Sequence, residues 1–270
     1  MSIHTEDIAK KITISTIKKK KGIEPITMIT AYDALFAKLF DKSVDMILVG
    51  DSLNMSFFGA DDTISTTMEQ MIYHTKAVCN GAKHSLIVID MPFGSYSTPH
   101  LALTNATKAY QETGALAVKI EGGSERAEIV KILTQNSIAV LGHIGLMPQF
   151  LRSSGGYKIR GKDEEDIAKL IEDAKAIEKA GAFAIVIEGV KKEASELITK
   201  AVKIPTIGIG AGVECDGQVL VWSDAFGFFE DFKPKFVKRY FDGATNIKKA
   251  LADYTTEVKN KQFPSDEFTY

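Results

Sequence analysis

Eight short runs rich in aliphatic and β-branched residues recur along the 270-residue chain. They are 26–32 (ITMITAY), 46–52 (MILVGDS), 85–91 (SLIVIDM), 116–122 (LAVKIEG), 139–145 (AVLGHIG), 184–190 (AIVIEGV), 205–210 (PTIGIG) and 224–229 (DAFGFF). Nearly continuous apolar runs of this length are the pattern of parallel strands buried on both faces. Amphipathic or alanine-rich segments lie between them at 33–42, 67–80, 104–113, 124–134, 163–180 and 192–201. In the first of these, Leu35, Phe36, Leu39 and Phe40 fall at helical spacing. Asp163 and Ser124 stand where helix N-caps are expected, and Gly181 follows Lys179-Ala180 as a helix stop.

This alternation admits a closed (β/α)8 barrel or an open doubly wound sheet. The polar residues choose between them. Gly50-Asp51-Ser52, Asp90, Lys119 with Glu121, His143 and Glu188 fall at the carboxyl ends of several different runs. A barrel builds its site from many strand ends, whereas an open sheet uses the loops at one switch point. A single (β/α)8 barrel domain over 1–270 is expected, with 1–25 as an N-terminal helical extension and 258–270 as a C-terminal tail. Within the extension, the lysine run 18–21 reads as a solvated helix end. The glycine-rich stretch 148–162 is a candidate lid after the fifth run.

Composition excludes several classes of function. Hydrophobic residues are 45% and charged residues 25%, enough to build a core. The 33 Lys and Arg against 35 Asp and Glu leave a net charge of −2, which argues against a nucleic-acid partner. Cys79 and Cys215 cannot build a disulfide framework and fit a reduced compartment. No apolar run approaches the ~20 residues of a membrane helix. The start, MSIHTEDIAKK, lacks the apolar segment of a secretory signal. A soluble, cytoplasmic protein without membrane contact is expected.

The acidic strand ends carry the chemistry. Asp51, Asp90 and Glu121 end three consecutive runs, and adjacent strands at ~4.8 Å spacing bring them close together. Clustered buried carboxylates take up protons unless a cation compensates them, and an all-oxygen set suits Mg²⁺ better than Zn²⁺. The alternative for each is an N-cap for the following helix. Lys119 and Glu121, two apart, share a face, so Lys119 is either a binder of a substrate carboxylate or a neutralising partner. Glu188 ends an apolar run, which suits a general acid or base, with a structural ion pair as the alternative. His143 is either a functional group or a hydrogen-bonded core histidine.

Two motif matches mislead. Gly50-Asp51-Ser52-Leu53 spells the signature of a lipase-like esterase family, but no histidine follows His143 to serve as its base. Gly208, Gly210 and Gly212 look dinucleotide-like, yet they follow the seventh run and not the first.

Ten segments in order resemble one family, the 3-methyl-2-oxobutanoate (ketopantoate) hydroxymethyltransferases. They are TAYDALFAKLF (30–40), VGDSLNM (49–55), TMEQMIYHTKAV (67–78), DMPFGSY (90–96), VKIEGG (118–123), GHIGLMPQ (142–149), GGYKIRG (155–161), IPTIGIGAG (204–212), DGQVLVWSDAFG (216–227) and PKF (234–236). The resemblance implies a (β/α)8 TIM barrel of the phosphoenolpyruvate/pyruvate type. It implies transfer of a hydroxymethyl group from 5,10-methylenetetrahydrofolate to 3-methyl-2-oxobutanoate, giving 2-dehydropantoate and tetrahydrofolate in pantothenate biosynthesis. By motif, one Mg²⁺ per subunit falls to Asp51, Asp90 and Glu121, and the substrate contacts fall to Asp51, Ser52, Asp90 and Lys119. The proton acceptor falls to Glu188. A divalent cation chelated by the oxo acid would stabilise the enolate formed on loss of the C3 proton. The family is commonly a homodecamer, so a homo-oligomer is expected.

The chain departs from the usual wording of the family at Asn54, where glycine is common, and at 57–60, 189–191 and Trp222-Ser223. These positions bear on the folate side and not on the carboxylates. The main alternative is a Mg²⁺-dependent C–C lyase or mutase of the isocitrate lyase/phosphoenolpyruvate mutase group. The lyases of that group carry a reactive cysteine loop that has no counterpart here.

Overall fold

The computed structural model describes residues 11–230 and 233–270. The first ten residues of the expected N-terminal extension lie outside the described residues. Eight parallel strands, β1 (Ile26–Thr30), β2 (Met46–Val49), β3 (Leu86–Asp90), β4 (Ala117–Glu121), β5 (Val140–Gly145), β6 (Ala184–Glu188), β7 (Thr206–Ile209) and β8 (Gly217–Leu220), close a barrel in chain order. The helices around them are α1 (Ile14–Lys19), α2 (Ala34–Phe40), α3 (Leu53–Ser56), α4 (Met68–Gly81), α5 (Pro99–Glu112) and α6 (Ala127–Gln135). They continue with α7 (Leu151–Ser154), α8 (Glu164–Lys179) and α9 (Lys192–Ala201). Every residue of β2, β3, β4, β5 and β7 is buried, which is why these strands read as continuous apolar runs.

The expected fold is the one observed, with local corrections. The eighth strand is not 224–229 but Gly217–Leu220, which pairs with β7 at Ile207↔Gly217 and with β1 at Ile26↔Gly217. Its four residues, Gly-Gln-Val-Leu, carry too little apolar patterning to stand out. The aromatic run 224–229 begins inside a short helix, α10 (Trp222–Ala225), and turns at Gly227, where φ is 66°. Helix α5 starts five residues earlier than its apolar pattern, because Thr98 caps it and Pro99 occupies its first turn. Ser124 is not an N-cap. It lies in a 3₁₀ turn, Ser124–Arg126, and its N–H donates to Asp173 Oδ1 at 2.8 Å. Asp163 does cap α8, and Gly181 follows that helix with φ 103°.

The lysine run at 18–21 is only partly solvated. Lys20 Nζ lies 2.6 Å from Asp45 Oδ1 and Lys21 Nζ 2.7 Å from Asp216 Oδ2. Asp45 also accepts from the Thr27 N–H, and Asp216 from the Thr206 N–H. These pairs join α1 to the amino-terminal ends of the strands. Ile17 of α1, fully buried, packs with Ile26, Met46, Leu86, Leu141 and Ile207 in the barrel core. The end of the barrel opposite the strand carboxyl termini is thereby plugged.

The chain divides into two compact units, Met1–Val221, which contains the barrel, and Trp222–Tyr270. In the second unit the Tyr240 N–H donates to Ala225 O at 2.7 Å, and the Trp222 and Phe228 rings lie 5.3 Å apart. Its long helix, α11 (Gly243–Lys259), exposes Ile247, Leu251, Tyr254 and Val258 along one face. No helix among the described residues is long and apolar enough to cross a membrane.

Gly217 sits at the seam where β8 meets β1. A Cβ there would overlap the Ile26 carbonyl oxygen and lie 2.7 Å from Ile26 Cβ. Ile207 Cδ1, 2.9 Å away, could shift, but the Ile26 carbonyl belongs to the β1 backbone and cannot yield so cheaply. Gly217→Ala is expected to destabilise the protein by about 1–3 kcal/mol, seen as a lower urea midpoint with an unchanged m-value.

Candidate active site

The mouth of the barrel gathers the polar residues singled out from the sequence. Asp51 follows β2, Asp90 ends β3, Lys119 and Glu121 lie on β4, His143 lies on β5 and Glu188 ends β6. The two-residue period of β4 points Lys119 and Glu121 the same way, with Nζ 3.6 Å from Oε1. Asp51, Asp90, Lys119, Glu121 and His143 are each at most 4% exposed.

The three acidic residues alternate with hydrogen-bond donors in a closed cycle. The Asp51 N–H donates to Asp90 Oδ2 at 3.1 Å. Lys119 Nζ donates to Asp90 Oδ1 at 2.5 Å and lies beside Glu121. Gln149 closes the cycle: its N–H donates to Glu121 Oε2 at 3.1 Å and its Nε2 to Asp51 Oδ2 at 2.9 Å. Burial, then the charges of Asp90 and Glu121, push the Asp51 carboxyl well above its ordinary range. Burial works against the Lys119 ammonium, but Asp90, Glu121 and Asp51 outweigh it and hold the lysine charged.

Among the described residues, no three of His, Cys, Asp and Glu are gathered tightly enough to hold a metal as they stand. The donor set is nevertheless the right one. Three carboxylates and one ammonium leave two negative charges, the charge that one divalent cation neutralises. Glu121 Oε1 is buried without a hydrogen bond, an acceptor of the kind a hard cation takes.

Ser52 adjoins the cluster. Its Oγ is hydrogen-bonded to the Tyr32 hydroxyl at 2.7 Å. A Cβ on Gly50 would lie 2.9 Å from Ser52 Oγ and 3.6 Å from Asp90 Oδ2, so glycine lets both groups close on this turn. On the other side, His143 stands between two carboxylates, with Nδ1 3.3 Å from Glu121 Oε1 and Nε2 3.4 Å from Glu188 Oε2. Neither contact is aligned as a hydrogen bond. Burial raises the affinity of Glu188 for a proton to a pKa of about 7. The candidate lid holds a 3₁₀ turn (Pro148–Phe150), α7 and a glycine-rich strip. It is tied to the loop after β2 by Arg152, which donates to Asp62 Oδ2 at 3.0 Å. Tyr157 on this segment has its hydroxyl proton held more tightly by burial and then by the charge of Glu188.

Against this geometry, the sequence comparison is decisive: a family model described as ketopantoate hydroxymethyltransferase matches residues 11–266. The chain belongs to the ketopantoate hydroxymethyltransferase family. It is 61% identical over 261 residues to the 3-methyl-2-oxobutanoate hydroxymethyltransferase of Aliarcobacter butzleri, covering 97% of each chain. It is 59% identical to that of Helicobacter hepaticus, covering 97% of this chain and 99% of the relative. Among solved structures, a putative phosphonomutase from Burkholderia cenocepacia superposes with a TM-score of 0.65 at 12% identity, covering 90% of this chain and 99% of the other. A phosphonopyruvate hydrolase in complex with oxalate and Mg²⁺ gives 0.62 at 11%, covering 95% and 91%. At such identities these likenesses establish the barrel alone. The lyase or mutase alternative therefore keeps its fold and loses its claim on the reaction.

Three ketopantoate hydroxymethyltransferase motifs hide residues to which sequence reasoning gave no role. Gln149 ends GHIGLMPQ, Tyr96 ends DMPFGSY, and Tyr32 sits in TAYD. All are buried: Gln149 bonds Asp51 and Glu121, Tyr96 bonds Gln149, and Tyr32 bonds Ser52 beside the cluster. Asn54, where the family commonly has glycine, ties down the loop after β2, donating to Asp62 O at 2.7 Å and Ser65 Oγ at 2.9 Å.

The proton affinity of Glu188 links to stability. Its carboxyl has a pKa near 4.5 when unfolded and about 7 when folded. Stability is thus lost as pH rises from about 4.5 to 7, because only the folded chain keeps the proton in that window. Glu188→Gln removes the loss. Thermal melts of metal-free protein should show the variant gaining on the wild type between pH 5 and 7, with a plateau above, by at most about 3 kcal/mol.

Proposed function

We propose that this chain transfers the hydroxymethyl group of 5,10-methylenetetrahydrofolate to C3 of 3-methyl-2-oxobutanoate by using Glu188 as the base that removes the C3 proton. The observation that carries this reading is the placing of Glu188, a buried carboxylate without an aligned donor, beside a separate and only partly compensated cluster of three carboxylates and a lysine in the same mouth. Deprotonating C3 of a 2-oxo acid calls for both: a base poised near neutral pH and positive charge where the enolate oxygen develops.

Asp51, Asp90 and Glu121 would hold one Mg²⁺ per subunit. When bound, that ion supplies Lewis-acid polarisation of the 2-oxo acid. Lys119 adds a fixed positive charge beside Asp90, suited to the carboxylate or keto oxygen of the substrate. Ser52, pinned by Tyr32, offers a hydroxyl next to Asp51, and Asp51 and Asp90 complete the substrate contacts. Glu188 takes the C3 proton. Water adds to the folate methylene carbon and both of its C–N bonds break, the two nitrogens of tetrahydrofolate taking the protons of the water; the formaldehyde-level carbon so released takes the new C–C bond from C3, and its oxygen takes up a proton to become the hydroxyl. We assign the chain to the cytoplasm, as a homo-oligomer and in the family's manner a decamer. The apolar face exposed along α11 supports self-association.

The test is proton NMR of 3-methyl-2-oxobutanoate in D₂O with the purified protein. Mg²⁺-dependent loss of the C3 proton signal is expected, stopped by EDTA, followed by 2-dehydropantoate once methylenetetrahydrofolate is added. Persistence of the C3 signal in all conditions would sink the reading. Glu188→Gln should bind the oxo acid as the wild type does and turn over about 10²–10⁴-fold more slowly. Wild-type kcat/KM should fall roughly tenfold per pH unit below pH 7, since the protonated carboxyl cannot accept a proton. A wild-type rate in the variant would remove Glu188 from its role.

A further inference from the structure

We propose that Gln149 is a positioning residue of the cation site: it commits one oxygen of Asp51 and one of Glu121, and so reserves the other oxygen of each for the cation. This rests on the reading of Asp51 and Glu121 as cation ligands. Gln149 is 3% exposed and lies in the 3₁₀ turn at the start of the lid segment. Its N–H holds Glu121 Oε2 and its Nε2 holds Asp51 Oδ2. Glu121 Oε1 is left buried and without a hydrogen bond. A carboxylate accepts at two oxygens, so a donor fixed on one turns the second in a set direction.

The orientation of the amide is itself determined. Nε2 faces two acceptors, Asp51 Oδ2 and Met91 O, both at 2.9 Å. Oε1 accepts from the Tyr96 hydroxyl at 2.5 Å. Flipping the amide would set an oxygen against two acceptors and lose the Tyr96 bond. Tyr96 is buried, and the Arg126 guanidinium lies 5.5 Å from the centre of its ring. The chain Tyr96–Gln149–Asp51 therefore has one arrangement. Neither Tyr96 nor Gln149 touches substrate in the proposed reaction, so their effect reaches it through the carboxylates.

The experiment is calorimetric titration of Mn²⁺ into the metal-free full-length protein, with melting temperatures measured in parallel. Gln149→Met keeps the bulk and the backbone N–H but deletes the side-chain donor. Tyr96→Phe removes the hydroxyl that anchors Oε1 and leaves the amide held only through Nε2. Asp51→Asn tests the ligand itself. Both Gln149→Met and Tyr96→Phe should weaken Mn²⁺ binding about tenfold or more while retaining cooperative melting, and Asp51→Asn should weaken it further. Should Gln149→Met fail to fold, Tyr96→Phe decides the question. Wild-type Mn²⁺ affinity in both positioning variants, with binding lost in Asp51→Asn, would overturn the role of Gln149 alone. Wild-type affinity in Asp51→Asn would overturn the cation reading and this proposal with it.

Discussion

Alternation of carboxylates with donors is what allows the mouth of this barrel to exist. Asp51, Asp90 and Glu121 are buried within one site, and burial alone would force protons onto them. Lys119, the Asp51 N–H and both nitrogens of Gln149 interrupt the repulsion at each step of the cycle. Every part of that arrangement depends on the fold. The period of β4 sets Lys119 and Glu121 side by side, the neighbouring ends of β2 and β3 bring Asp51 to Asp90, and the turn after β5 returns Gln149 across the top. Charge compensation is still incomplete, since three carboxylates face one ammonium. The remaining deficit is what a divalent cation would fill.

The two ends of the barrel treat their acidic residues differently. At the amino-terminal end, Asp41 accepts from the N–H groups of Lys83, His84 and Ser85 and from the His84 ring. Burial acts to raise its proton affinity, yet these donors hold it well below the ordinary range. Asp45 and Asp216 likewise pair with backbone N–H groups and with a lysine from the extension. Such aspartates spend their acceptors on strand ends and on closing the barrel. At the mouth, Glu121 keeps an oxygen without a hydrogen bond. A protein stabilised at one end can hold that unmet acceptor at the other.

Most of the architecture was legible because burial on both faces makes a parallel strand apolar throughout. The strands from β1 to β7 all lie inside runs visible in the sequence. The eighth was not legible for the same reason inverted. Gln218 is exposed and Leu220 half-buried, and Gly217 is small because β1 passes too close for a side chain. The aromatic 224–229 run displaced it by a stronger apolar signal. The site divided similarly. Charged residues at strand ends announce themselves, since charge is rare in such runs. Gln149, Tyr96 and Tyr32 do not, because a neutral amide or phenol beside a motif carries no mark of what it hydrogen-bonds. Their contacts span 53 residues from Tyr96 to Gln149 and 98 from Asp51 to Gln149, beyond the reach of any local pattern.

Glu188 and the cluster show how one mouth keeps two kinds of carboxylate. Asp90 and Glu121 have Lys119 within reach, and Gln149 supplies further donors. Among the described residues Glu188 has no hydrogen-bond donor aligned with it; His143 Nε2 lies 3.4 Å away, and burial dominates its proton affinity. Identical chemistry thus meets two environments: burial brings Glu188 to about 7, whereas Asp51, Asp90 and Glu121 share Lys119 and the Gln149 donors where a cation would complete their compensation. His143 sits between the two with a ring nitrogen toward each. It separates the sites by the width of one imidazole, close enough for one small substrate to span both, and at this distance the charge of Lys119 lowers the proton affinity of Glu188 by less than burial raises it. Adding a donor to Glu188 would make it another anion of the cluster, so the absence of a hydrogen bond there is as much a part of the site as the bonds that Gln149 makes.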